Sequence, residues 1–186
     1  PYGSKMEQKE LEITLALLKY KESHVRGIAK ITNQPHANVS RLMKKLLKEN
    51  IVDFKYEGKN KIFRLKKGIE ALNCIYMSEH FKLLKLFEKY PSITIIAESI
   101  IRKVDEKLII IFGSFAKFSS TKDSDIDIFI ETTNRHIKLA VENINSKLSV
   151  KIGQFDTNSL LVKEIIKDHI ILKGVEYYYE KNKIFD

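Results

Sequence analysis

The stretch LIIIFGSFAKFSSTKDSDIDIFIE, residues 108 to 131, constrains this chain more than any other. The apolar run Leu108 to Phe112 predicts a buried strand that stops at Gly113-Ser114. Ten residues separate Ser114 from Asp125-Ile126-Asp127, which opens a second strand pattern, Ile126 to Ile130. Side chains alternate along a strand, so Asp125 and Asp127 share one face while Ile126 and Ile128 take the other. Two neighbouring carboxylates repel, and holding them together is costly unless a cation lies between them. Mg²⁺ suits such a pair, because it prefers oxygen ligands and usually also holds substrate phosphates. Gly113 permits close approach of backbone to a ligand, and Ser114 offers a hydroxyl and an N–H to a phosphate oxygen.

An isolated D-x-D is as readily a surface turn, with Asp123, Asp125 and Asp127 at a bend before a strand. The combination of apolar strand, Gly-Ser, ten-residue spacer, D-x-D and apolar strand is more specific. Over about residues 92 to 175 it resembles the nucleotidyltransferase superfamily related to DNA polymerase β, in its minimal prokaryotic form. The run IIKDHIILKGVEYYY also resembles the tail of archaeal members. The resemblance implies that Gly113 and Ser114 hold the triphosphate of ATP or another NTP, with Lys117 steadying phosphate charge. It implies that Asp125 and Asp127 bind Mg²⁺ and are catalytic, a hydroxyl attacking the α-phosphorus while pyrophosphate leaves.

The family also carries a third carboxylate on the next strand, which here reads SVKIGQF and contains no acid. Lys151 or Gln154 stands in that position, or Asp156 serves as a metal ligand if the register shifts. Two readings stay open. One is a Mg²⁺-dependent nucleotidyltransferase whose acceptor, as in related antitoxins, is a toxin or another protein. The other is a transcriptional regulator whose degenerate transferase domain only binds a nucleotide or a protein partner.

Charge divides the chain. Residues 1 to 68 hold 16 Lys/Arg against 7 Asp/Glu, whereas the rest is balanced, so the whole net charge of +9 lies in the first third. A polyanion partner is expected there. Helical periodicity predicts helices over 6–20, 24–31 and 36–49, then strands Ile51 to Tyr56 and Lys61 to Leu65 around the turn Glu57 to Asn60. That order resembles a winged helix-turn-helix. The resemblance implies that helix 36–49 enters the major groove of double-stranded DNA, presenting His36, Asn38, Ser40, Arg41, Lys44 and Lys45. The wing residues Lys55, Lys59, Lys61 and Arg64 would then reach the DNA backbone or minor groove. A solvated face of a protein–protein module is the alternative.

The expected architecture is therefore α+β: a winged helix-turn-helix DNA-binding domain over 5–68, a connecting helix over 69–91, and a small α/β nucleotidyltransferase-like domain over 92–186. The connecting segment is apolar enough to pack on a domain or to form a homodimer, and the homodimer is favoured. In the last third, helices are expected over 92–104, 135–148 and 159–172, with a strand over 149–155 and a final turn or helix over 175–181. One cysteine, Cys74, excludes a disulfide framework, and no Cys/His cluster points to zinc. No apolar run is long enough to cross a membrane, so a cytoplasmic location is expected. Pro1 to Ser4 reads as a cloning remnant.

Overall fold

The computed structural model describes residues 6–185, and the Pro1 to Ser4 remnant lies outside them. The chain divides into two units, the first ending at Phe81 and the second beginning at Lys82.

In the first unit, helix α1 (Gln8–Tyr20) starts with a reciprocal capping box between Glu7 and Glu10. Strand β1 (Glu22–Ser23) leads to α2 (Val25–Thr32), whose N-cap His24 accepts a hydrogen bond at Nδ1 from the Gly27 N–H at 2.8 Å. Asn33 then turns left-handed and ends α2. Pro35 precedes α3 (His36–Lys48), followed by β2 (Val52–Glu57) and β3 (Asn60–Leu65), joined by a tight turn at Gly58. The three strands form an antiparallel sheet in the order β1-β3-β2. β1 was not expected from the sequence: two residues, Glu22 and Ser23, carry no periodicity and pair only because Arg64 and Phe63 lie beside them.

The core of this unit is built from one stripe of each helix, with Ile13, Leu17, Ile28, Val39, Leu42, Met43 and Leu46 buried. Helix α4 (Ile69–Lys89) begins here, and its Ala71, Cys74 and Ile75 are buried too. Thr14 and Cys74 share a hydrogen bond at 3.3 Å. Glu10 is 0% exposed, and its carboxylate lies 2.8 Å from the Lys45 ammonium. A buried carboxylate without such a partner would be strongly unfavourable.

The second unit contains the end of α4, then α5 (Pro91–Lys103), which starts on a proline at its first turn. The remaining elements are β4 (Ile109–Phe112), α6 (Gly113–Ala116), β5 (Ile126–Glu131), α7 (Arg135–Glu142), β6 (Leu148–Gly153), α8 (Leu160–Lys167), β7 (His169–Lys173) and α9 (Val175–Asn182). They surround a four-stranded sheet in the order β6-β5-β4-β7, parallel between β5 and β6 and antiparallel elsewhere. One face carries Ile111, Ile126, Ile128, Ile130, Val150 and Ile170 and packs with Ile93, Ala97, Ile100 and Val141 of α5 and α7. The other face carries Phe129, which meets Phe155, and Phe155 in turn meets Tyr178 of α9.

Two expectations change. The helix expected over 159–172 ends at Lys167, and His169–Lys173 forms β7 instead. Asp168 is extended, and the apolar Ile170, Ile171 and Leu172 complete the edge of β4, which would otherwise expose an unpaired apolar strand. Helix α7 stops at Glu142 rather than Leu148, because Asn143, Asn145 and Ser146 favour turns, and Leu148 opens β6. Gly174 is left-handed (φ +91°), and a Cβ there would fall 2.1 Å from the Lys107 carbonyl oxygen, so no other residue fits this turn into α9.

Lys45→Ala is expected to destabilise the first unit by about 3 kcal/mol, since it leaves Glu10 buried without its cation. The exposed Lys44→Ala should be near neutral. Chemical denaturation of the two variants checks this, and equal stability of both would refute it.

Candidate functional site

The sheet of the second unit places its polar row at one end. Phe112 of β4 stands opposite Asp127 of β5, and opposite His169 of β7. Asp127 stands beside Ser149 of β6. Cross-strand partners share a face, so Ser149, Asp127, Phe112 and His169 form one row on the face away from α5 and α7. The next row is Lys151, Phe129, Ile110 and Ile171.

Gly113 follows Phe112 with φ +70°, and a Cβ there would lie 2.3 Å from Asp127 Oδ2. The carboxylate is therefore seated directly against the Gly113 backbone, which only a glycine allows. Ser114 is half-buried at the same corner, and its carbonyl accepts the Ser119 N–H at 3.0 Å. Asp125 and Lys117 are exposed. The strand thus brings Gly113, Ser114, Asp125 and Asp127 to one end of the sheet.

Burial pushes the Asp127 carboxyl above the usual carboxylate range, and the charges of Asp125 and Glu164 push it the same way. A hydrogen bond from Ser149 and the charge of Lys151 act in the opposite direction. Ser149 and Glu164 were not singled out in the sequence. Ser149 becomes visible only with the β5–β6 register, and Glu164 only with the placement of α8.

Asp156 is not brought to this corner. It lies past the end of β6, and its carboxylate accepts the Asn158 N–H at 2.9 Å. The neighbouring Phe155 N–H donates to Glu131, at the end of β5 opposite to Asp125 and Asp127. Gln154 belongs to the same distant turn. Among the described residues, no group of three or more His, Cys, Asp or Glu side chains is placed to hold a metal ion. Asp125 and Asp127 do suit a single Mg²⁺ that shares its remaining coordination with phosphate oxygens.

In the first unit, His36 and Lys44 are exposed on α3, with Ser40 half-exposed between them. Arg41 holds Glu7 at 3.2 Å and the Asn38 amide oxygen at 3.0 Å, and Asn38 in turn donates to Gln34. Lys45 is turned to Glu10 and only 16% exposed. On the hairpin, Lys59 is exposed, Lys61 lies 4.1 Å over the Phe54 ring, Arg64 is 3.8 Å from Asp53, and Lys55 pairs with Glu22 and Glu57. A cavity of about 380 Å³ is lined by His24, Arg26, His36, Lys59 and Lys61.

A small mixed sheet with a Gly-Ser corner seated against a D-x-D strand is the arrangement of a nucleotidyltransferase domain. The family model described as polymerase beta, nucleotidyltransferase, matches residues 82–183, more than half of the chain, and the chain belongs to that family. The chain is also similar to a protein of Methanocaldococcus jannaschii named as a candidate protein adenylyltransferase. The two are 36% identical over 84 residues, covering 41% of this chain and 67% of that protein. No helix among the described residues is long and apolar enough to cross a membrane.

The sign of the pH dependence follows from the raised carboxyl of Asp127. Between the ordinary aspartate pKa and the raised one, the folded chain holds more protons than the unfolded chain. Stability from this group is full below that window and is lost as pH rises through it. Asp127→Asn should therefore raise the melting temperature at neutral pH and flatten its acid-side slope, as read by thermal unfolding across a pH series. An unchanged slope would show that the carboxylate is not strained.

Proposed function

We propose that the second unit binds a nucleoside triphosphate with Mg²⁺ and transfers its nucleotide to the hydroxyl of an acceptor. The observation that carries this reading is the seating of Asp127 on Gly113 beside Ser114 and Asp125. Gly113 lets a phosphate come close to the backbone, Ser114 presents a hydroxyl and an N–H, and Lys117 adds an exposed cation. Asp125 and Asp127 would hold Mg²⁺, which neutralises phosphate charge when bound. The new bond joins the acceptor oxygen to the α-phosphorus, the α–β bridging P–O bond breaks, and pyrophosphate departs with the electron pair. The hydroxyl proton passes to solvent or to a nearby base. The name of the similar M. jannaschii protein supports ATP as donor and a protein as acceptor.

The first unit is proposed to be a winged helix-turn-helix that binds duplex DNA. Its support is the element order α1-β1-α2-α3-β2-β3, the concentration of positive charge, and the basic residues around the cavity at His36 and Lys59. In this reading α3 offers His36, Ser40 and Lys44 to the groove, and Lys59, Lys61 and Arg64 reach backbone phosphates. Ile69 and Met77 are exposed apolar positions on α4, which supports pairing of two copies. Autoregulation, with one chain modifying a partner and repressing its own operon, would join the two activities.

A second reading has a specific observation behind it. β6 offers Ser149 and Lys151, not a carboxylate, to the face that holds Asp127. On that reading the domain holds a nucleotide without transferring it, and the protein acts as a nucleotide-responsive regulator.

Titration calorimetry with ATP separates these readings from no function at all. Binding should require Mg²⁺ and should disappear in Asp125→Ala/Asp127→Ala, and wild-type protein that fails to bind refutes both. Labelled ATP offered with a cell extract then tells transfer from binding, since only transfer leaves label on an acceptor. For the first unit, fluorescence anisotropy with duplex DNA should show affinity falling steeply with salt. Lys59→Ala/Lys61→Ala should lower the slope of log K against log salt by about 2. A slope unchanged by that substitution would refute the proposed wing contacts.

A further inference from the structure

We infer that the nucleotide site of this chain is built for one divalent ion, the one that arrives on the nucleotide, because β6 offers Ser149 and Lys151, and no carboxylate, to the face where a second ion would need one. The inference rests on the proposed nucleotide site and adds its ion count.

The β5–β6 register fixes which residues of β6 can serve that face. Asp127 pairs with Ser149, Phe129 with Lys151, and Glu131 with Gly153. These three residues of β6 are the ones that share the face of Asp127, and they offer a hydroxyl, an ammonium and no side chain. Leu148, Val150 and Ile152 point to the other face, where they meet the apolar core. A one-residue slip would put those apolar groups on the polar face and Lys151 into the core, so the register resists change.

Lys151 is well placed to reach the carboxylate. One strand across and two residues along puts its Cα about 8 Å from that of Asp127. A lysine side chain spans most of that distance, and Lys151 is exposed and unconstrained by the core. Its charge already acts on Asp127, drawing the carboxyl down against the burial that raises it.

The other acids of the unit do not supply the missing ligand. Glu131 on the same face accepts the Phe155 N–H and lies 3.6 Å from Lys181, at the far end of β5. Asp156 caps its own turn there. Glu164 of α8 is exposed and close enough to raise the Asp127 carboxyl, yet it forms no metal-holding group with Asp125 and Asp127. A second ion would have to sit beside an ammonium with no added carboxylate, which is unfavourable on both counts.

The test counts ions and nucleotide together. The full chain is dialysed to equilibrium against α,β-methylene-ATP, which cannot be cleaved at the reacting bond, over a range of Mn²⁺, and both components are measured. Wild type and Lys151→Ala should each bind one Mn²⁺ per nucleotide. Lys151→Asp should take a second at Mn²⁺ concentrations where wild type holds one. Two ions per nucleotide in wild type, or only one in Lys151→Asp, would overturn the inference while leaving the nucleotide site intact. No nucleotide bound by wild type at any Mn²⁺ concentration would overturn the site itself, and the inference with it. Lys151 is exposed, so neither substitution endangers folding.

Discussion

The contact between the Asp127 carboxylate and the Gly113 backbone sets the geometry of the second unit's functional end. It exists because β4 and β5 are paired with Phe112 opposite Asp127, so the first residue after one strand meets the first row of the other. A side chain on Gly113 would require Asp127 to move, and a positive φ there disfavours any other residue. Burial and the charges of Asp125 and Glu164 oppose the charge of this carboxylate, while a hydrogen bond from Ser149 and the charge of Lys151 favour it. A carboxylate held against its own ionisation costs the folded chain stability at neutral pH.

The first unit makes a different use of charge. Its buried Glu10 is shared by the capping box of α1 and by Lys45 of α3, so one carboxylate ties the start of one helix to the last turn of another. Lys45 therefore belongs to the framework, although in the sequence it is indistinguishable from Lys44, its exposed neighbour. Arg41 is engaged at the surface with Glu7 and Asn38, and such exposed pairs are weak enough to exchange for a phosphate. Net charge in the first third overstates the cations available to a polyanion, because Lys45 and Lys55 answer acids of the same unit.

Local signals carried much of this organisation. The strands around Gly113-Ser114 and D-x-D, the hairpin at Gly58 and the break at Pro91 were legible because each rests on an apolar run bounded by a turn former. β7 was not, since HIILK reads equally as the end of a helix and only the open edge of β4 decides the matter. The same limit applied at the site. Gly113, Ser114, Asp125 and Asp127 lie within one short stretch, whereas Ser149, Lys151 and Glu164 reach Asp127 through sheet register and helix packing. Which of Lys151, Gln154 and Asp156 shares the face of Asp127 depends on register, and the pairing of Asp127 with Ser149 puts Lys151 on that face.

That register bears on what the domain can do. Nucleotide binding and activation of the acceptor are separable tasks, and the corner at Gly113, where the first is proposed, is built from β4 and β5 without β6. The second depends on what β6 presents, and here it presents a hydroxyl bonded to Asp127 and a lysine. An ammonium can neutralise charge on a phosphate oxygen as an ion does, but it cannot coordinate an acceptor hydroxyl and lower its pKa. The exposed Glu164, whose charge is felt at Asp127, is an acid of this end of the unit that does not belong to the D-x-D strand.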